Sequence, residues 1–213
     1  MDSHTELICT GIYSHFATSH KPGSSLVKLQ LQRFKKIREA FPENLVAHIS
    51  NTGGAFFYEH TSFDMIRPGI GIYGYPPGDT NLEDLRPALR WYSRLVQVNP
   101  ITKGETVSYG AQWQAPEDGF IGVIPIGYED GLKRSLSGSI SFQIGEQLYP
   151  QVGTITMNYC MIYLGDKKLP EGAEVQVIRS SQKDVENWAA KIGSIPYEIL
   201  TSLSPKIPRV YKS

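Results

Sequence analysis

FDMIRPGIGIYG, residues 63–74, sets an apolar, strand-like run against Arg67, a Pro68-Gly69 turn and a second apolar run that closes on Gly74. Proline fixes its own backbone and removes a donor, while glycine lets the chain turn and a ligand come close. Gly69, Ile70 and Gly71 can then offer bare amide hydrogens, the raw material of an anion cradle. Arg67 stands one residue before the turn, where its guanidinium would meet a ligand held there. A strand, a tight turn and a surface arginine remain the plainer reading of the stretch alone.

Working outward from residues 63–74, the preceding chain has the grammar of a parallel α/β unit. Residues 7–13, LICTGIY, read as a buried strand that runs into Ser14, His15 and Phe16. Ligand sites of parallel sheets and barrels gather at strand C-terminal ends, which is where His15 falls. Ser24 or Ser25 can cap a helix with Val27, Leu31, Phe34, Ile37 or Arg38, and Phe41 at helical spacing, ended by Pro42. Residues 45–50 form a second short strand carrying His48, and Asn51-Thr52-Gly53-Gly54 can start a helix whose free amides face a phosphate. Residues 63–74 are then a third strand. Three parallel strands do not close a barrel, so this piece reads as incomplete.

After Pro76-Pro77-Gly78-Asp79 and a linker over residues 81–90, the pattern changes. Short alternating runs follow: WYSRLVQV, ETVSYGAQW, FIGVIPIGY, SISFQI, QLYPQVGTITM, CMIYLG and EVQVIR. Turn signals such as Lys103-Gly104, Asp130-Gly131 and Ser137-Gly138 separate them, which argues an antiparallel barrel or sandwich. One helix is expected from Val185 to Ile192, capped by Asp184 and stopped at Gly193. The fold class is therefore α/β plus β: a partial parallel (β/α) barrel segment at 1–78, then a mostly antiparallel, β-barrel-like domain at 79–213.

Composition narrows the function. With 213 residues, 40% hydrophobic and 20% charged, the chain is ordinary globular protein. Lys plus Arg equals Asp plus Glu at 21 each, so no net field points to nucleic acid or an acidic membrane. Cys9 and Cys160 form neither a disulfide framework nor a zinc set, and no HExxH occurs, so no metal is expected. No apolar run is long enough to span a membrane, and residues 1–15 lack a secretory signal, which together favour the cytoplasm.

The residues that could carry chemistry are His15, His48, Arg67, Tyr109 and Tyr128. Neighbouring strands would bring the first three together, although each histidine alone also fits a satisfied structural role. Tyr109 precedes a glycine turn; as a base it needs a cationic setting to lower its pKa, and otherwise it is a strand aromatic packed on the sheet.

The blocks GIYSHFA, HISNTGG, DMIRPGIGIYG, VSYGAQW, IPIGYEDG, VGTITMNYCMI and YEILTSLSPKIPRVY, in this order, resemble the C-terminal part of bacterial alanine racemases. The resemblance implies a pyridoxal 5'-phosphate enzyme with an eight-stranded, TIM-type α/β barrel followed by a β domain. It also implies a homodimer that interconverts L- and D-alanine for cell-wall peptidoglycan. Carried over by motif, Arg67 is the arginine that hydrogen-bonds the cofactor's pyridine nitrogen, and Thr52, Gly69 and Ile70 hold its phosphate. Tyr109 exchanges the α-proton on one face of the neighbouring subunit's cofactor. His15 and His48 tie that tyrosine and Arg67 into one network, and Tyr128 and Met157 bound the substrate pocket from the partner. Two positions depart from the family pattern: Asn158 where aspartate is usual, and Pro205 where many members place a phosphate-contacting tyrosine. The lysine that holds the cofactor covalently lies in a VKANAYGHG-type block, and no such block occurs here. None of Lys21, Lys28, Lys103 or Lys133 stands in comparable context, so the chain alone is expected to be inactive. A complementing half of a split enzyme, or a racemase for another amino acid such as serine, are the alternatives.

Overall fold

The computed structural model describes residues 7–78, 80, 82 and 84–212. The expected turn at Asp79, with the domain boundary placed there, linker positions Asn81 and Glu83, and residues 1–6 of the leader reading lie outside the described residues. The chain divides into two compact units, Met1–Ala88 and Leu89–Ser213.

In the first unit, strands β1 (Gly11–Tyr13) and β2 (Val46–His48) pair in parallel, with Ile12 opposite Ala47. A parallel pair needs a crossover, and helix α1 (Ser25–Arg38) supplies it. Val27 and Phe34 on the inner face of α1 are buried with Phe16, Ala47 and Ile49, and Ile12, Leu31, Tyr58 and Phe63 pack around them. Full burial of such a side chain stabilises by about 1.5–3 kcal/mol. The helix begins after Ser24, but the Ser24 hydroxyl meets Thr18 Oγ1 at 2.7 Å and caps nothing. It stops at Arg38, ahead of the expected end at Pro42. The Arg38 guanidinium donates to the carbonyls of Phe41, Pro42, Glu43 and Leu45, which holds the following residues in a turn.

Two expected strands are corrected. Residues 7–13 do not form a buried strand: pairing begins where the Val46 amide reaches the Thr10 carbonyl at 3.1 Å, and Leu7 and Ile8 run beyond it, exposed. Residues 63–74 form no strand, only an isolated parallel bridge between Asn51 and Arg67 and then a 3-10 turn, Ile70–Tyr73. The reason lies in the spacing. Asp64 N donates to Ala47 O at 3.1 Å and Arg67 N to Ser50 O at 2.9 Å, a step of three residues on both sides. A strand ladder repeats every two. Between these anchors Met65 N turns back to Ser62 O, and Pro68 then has no amide to extend the pairing.

The second unit is mostly β, as expected. In chain order it contains β3 (Trp91–Arg94), β4 (Gln97–Ile101), β5 (Thr106–Val107), β6 (Trp113–Gln114), β7 (Gly119–Ile124), β8 (Ser141–Ile144), β9 (Gln147–Val152), β10 (Cys160–Tyr163) and β11 (Glu174–Ile178). Seven of these make one antiparallel sheet in the order β3-β11-β8-β9-β10-β7-β4. The two outer strands are consecutive halves of one run: Leu95 N bonds Ala173 O at 3.0 Å, and Val96 N bonds Val123 O at 2.9 Å. The run therefore pairs with both ends of the sheet and closes it, which removes the edges that an open sheet would expose. Hairpin β5–β6 stands apart and packs Val107 and Trp113 on a cluster of Ile101, Ala115, Ile121 and Val152.

Helix α3 (Gln182–Lys191) and helix α4 (Pro196–Thr201) follow the last strand. The expected cap at Asp184 is corrected: Asp184 lies inside the first turn of α3. Its carboxylate accepts from the Arg179 amide at 2.9 Å and from the Arg179 guanidinium at 2.5 Å. The side chain is thus spent on tying α3 to the end of β11. Gly193 follows the helix at φ +64°, as expected of a stop.

Candidate active site

Within the first unit, the C-terminal ends of β1 and β2 deliver Ser14, His15, His48 and Ile49, and the bridge to Asn51 sets Arg67 beside them. Arg67 Nη2 donates to Ser14 O at 2.8 Å and lies 3.4 Å from Ile49 O, while Nη1 donates to His48 Nδ1. His15 Nδ1 is 3.2 Å from Arg67 Nη2, so the three residues named from sequence do meet. Tyr13 adds a wall: its ring stacks on His48 at 5.4 Å, and the Arg67 guanidinium carbon lies 5.7 Å from its centre.

The protonation pattern follows from the donors. Arginine only donates, so His48 Nδ1 accepts and the neutral ring carries its hydrogen on Nε2. Burial, and after it the Arg67 charge, hold the His48 pKa below the ordinary histidine value, which keeps that neutral form. His15 is placed between two donors, Arg67 Nη2 on one nitrogen and Asn51 Nδ2, also at 3.2 Å, on the other. A neutral imidazole satisfies one of these at a time, so His15 can change tautomer in place.

Asn51 was not singled out from sequence. Its Oδ1 accepts from Ser19 Oγ at 2.6 Å and caps helix α2 (Thr52–Phe57) through Gly54 N at 3.0 Å, which turns its amide toward His15. The signal was present, since an asparagine before Thr-Gly-Gly is a helix N-cap. Thr52 is buried, and its Oγ1 accepts from Gly71 N at 3.4 Å. The expectation of three bare amides is corrected to that extent: Gly71 is spent on Thr52. A Cβ at Gly69 would meet nothing within 4 Å among the described residues, and Ile70 opens the 3-10 turn, where first amides have no partner inside the turn.

The second unit carries Tyr109, Tyr128 and Met157. Tyr109 does not pack on the sheet; it is 74% exposed, in a 3-10 turn, Tyr109–Ala111. Tyr128 and Met157 are brought together by the backbone, with Tyr128 N on Thr156 O at 3.0 Å and Glu129 N on Met157 O at 3.1 Å. Gly127 makes this approach feasible, because a Cβ there would stand 2.1 Å from Met157 O. Glu129 is a second residue the sequence reading passed over. Its carboxylate accepts from Lys206 Nζ at 2.5 Å and Asn158 Nδ2 at 2.7 Å, and these bonds, with the Lys206 charge, hold its pKa below the usual range. Asn158 thus fills its departure from the family pattern with a donor to a neighbouring carboxylate.

No lysine amine touches the Arg67 cluster among the described residues, and no group of described histidines, cysteines and carboxylates could hold a metal ion. No helix of the described residues is long and apolar enough to cross a membrane.

The chain is similar to known proteins over nearly its whole length. The sequence profile "Alanine racemase, N-terminal domain" matches residues 1–77, and "Alanine racemase, C-terminal domain" matches residues 88–211. Alanine racemase of Treponema denticola is 33% identical over 99% of this chain, and alanine racemase 1 of Bacillus subtilis is also 33% identical over 99%. The chain spans 60% and 56% of those two relatives. Among solved structures, alanine racemase from E. faecalis superposes with a TM-score of 0.88 at 32% identity, over 99% of this chain and 58% of that one. Alanine racemase from Bartonella henselae with covalently bound pyridoxal phosphate gives 0.85 at 29% identity, over 95% and 56%. By profile, sequence and fold, the chain belongs to the alanine racemase family.

Proposed function

We propose that this chain is the C-terminal portion of a cytoplasmic, homodimeric alanine racemase that interconverts L- and D-alanine and supplies D-alanine for peptidoglycan. Residues 1–78 would contribute barrel strands and the cofactor wall, and residues 79–213 the β domain. The observation that carries the reading is the state of Arg67. Its guanidinium is fixed by carbonyls and histidines, and no carboxylate pairs with it among the described residues. An unbalanced, oriented cation suits an electron-rich ring nitrogen and a phosphate, so the residues present fit pyridoxal 5'-phosphate. When bound, that cofactor supplies a ring that withdraws electrons from the substrate Cα.

The residues of this chain have the following roles. Arg67 holds the ring nitrogen with a donor that never gives up its proton, because guanidinium stays charged at any working pH. His48, kept neutral, accepts from Arg67 and fixes its plane. His15 shares Arg67 and Asn51, and its change of tautomer can follow a proton held nearby. Thr52, Gly69 and Ile70 orient the phosphate. Tyr109, from the neighbouring subunit, takes or returns the α-proton on one face, and Tyr128 and Met157 shape the pocket for a small side chain. A racemase for another amino acid, such as serine, is the second reading, motivated by Asn158, which removes a charge from the pocket where the family usually has aspartate.

The test is D-alanine formation from L-alanine with added pyridoxal phosphate, by this chain alone and with a family N-terminal half carrying the cofactor lysine. Turnover is expected only from the assembly, and Tyr109→Phe should lower it on the order of 10²-fold or more while cofactor absorbance is retained. An assembly that binds the cofactor yet turns over neither alanine nor serine would refute the reading.

A further inference from the structure

The backbone that presents Tyr109 is strained on both sides. Ser108 sits at φ +67°, ψ 177°, a region populated almost only by glycine, because an L side chain there crowds the adjacent peptide. Gly110 at φ +79° and Ala111 at φ +46° follow on the same unusual side. Such a segment persists only where its surroundings over-determine it.

Beside the turn's own bond from Ala111 N to Ser108 O at 3.4 Å, the surroundings supply one reciprocal pair. Ser108 Oγ donates to Thr154 O at 2.6 Å, and Thr154 Oγ1 donates back to Tyr109 O at 2.8 Å. Thr154 is buried, and the next amide, Ile155 N, is anchored on Ser137 Oγ at 2.9 Å, so its own position is fixed from behind. A β-branched side chain adds a stiff χ1, which aims the hydroxyl. Gly153 allows the close approach: a Cβ there would stand 2.8 Å from Val107 O and 2.9 Å from Ser108 Cβ. None of these bonds involves the Tyr109 ring, which is left exposed.

We propose that Thr154 is a positioning residue for Tyr109: with Ser108 it forms a two-bond clamp that holds the strained turn and so fixes where the phenol stands. The inference rests on the racemase reading for its kinetic consequence, but the clamp itself is tested without turnover. Amide hydrogen exchange is read at Ala111, whose N–H closes the turn on Ser108 O at 3.4 Å, in the 213-residue chain for wild type, Thr154→Val, Thr154→Ser and Ser108→Ala. Valine keeps the shape and loses the hydroxyl, so exchange there should rise about tenfold or more, with β7 and β10 unchanged. Serine should restore protection, and Ser108→Ala, which keeps the strain and loses the other bond, should behave like valine. In the assembled enzyme, Thr154→Val should lower kcat on the order of 10- to 100-fold, with KM little changed and Thr154→Ser close to wild type.

Unchanged exchange in both Thr154→Val and Ser108→Ala would overturn the clamp. Raised exchange with unchanged kcat would overturn the positioning role. A wild-type assembly that does not racemise would count against the proposed reaction, and the exchange data would still decide the clamp.

Discussion

Replacing Arg67 by glutamine removes the charge at the centre of the first unit's cluster while keeping a side chain that can still donate. The two firm donations, to Ser14 O and His48 Nδ1, are the ones at risk. A typical intramolecular hydrogen bond contributes about 0.5–1.5 kcal/mol net, so losing both puts the cost at about 1–3 kcal/mol. Urea unfolding at pH 7 reads that cost as a shift in midpoint at constant slope. The same variant reports on His48. Its pKa is lowered first by burial and second by the Arg67 charge, so glutamine should raise it part of the way and leave it below the ordinary value. The sign is set by linkage. A histidine whose folded pKa is depressed is fully compatible with the fold above its unfolded pKa of about 6.5, and stability is lost as pH falls from there toward the folded value. Wild type should therefore lose more stability than Arg67→Gln between pH 7 and pH 5. Proton NMR titration of the ring hydrogens gives the pKa directly. An unmoved His48 titration in Arg67→Gln, or a variant as stable as wild type at pH 7, would refute the argument.

Other expectations follow from single contacts. Asn158→Asp puts a carboxylate where an amide now donates to Glu129 at 2.7 Å, so the Glu129 pKa should rise in an NMR titration, most at low salt. In wild type, the Glu129 contribution should be present at neutral pH and fade as pH falls through its lowered pKa. That of Lys206, whose pKa is raised by the same bond, should fade as pH rises through its own. Asn51→Ala removes the α2 cap and should cost about 0.5–2 kcal/mol in urea unfolding, and it should also release the Nε2 contact of His15 in nitrogen-15 spectra.

Much of the second unit was legible because its strands alternate and their turns carry glycine, so every quoted run overlaps at least one strand of the structure. The first unit was less legible. FDMIRPGIGIYG has strand composition, yet pairing there depends on a step of three between anchors, which no periodicity of residues reveals. Leu7 and Ile8 are apolar enough for a core but lie outside the ladder, and apolar composition does not say where pairing starts. At the site, the meeting of His15, His48 and Arg67 could be read from strand order, because each stands at or just past a strand end or bridge. Asn51, Glu129 and Thr154 could not be weighted in the same way. Their roles come from what one side chain meets in a distant part of the chain: a ring nitrogen for Asn51, an amide and an ammonium for the Glu129 carboxylate, and a carbonyl for Thr154.

The closure of the second unit's sheet constrains how that unit comes into being. Its first run pairs with β11, Arg94 opposite Glu174 and Trp91 opposite Ile178, before the same run turns to β7. On a ribosome, the opening strand must therefore wait through the synthesis of almost the whole unit for one of its two neighbours. Long-range pairing of this kind folds slowly, because the entropy of closing the loop is lost before the contacts that reward it can form. Until Glu174–Ile178 emerges, Trp91 and Leu95, both buried in the finished unit, have no β11 to cover them. The interval between those two events is when the nascent chain is most open to trapping by a chaperone or to mispairing.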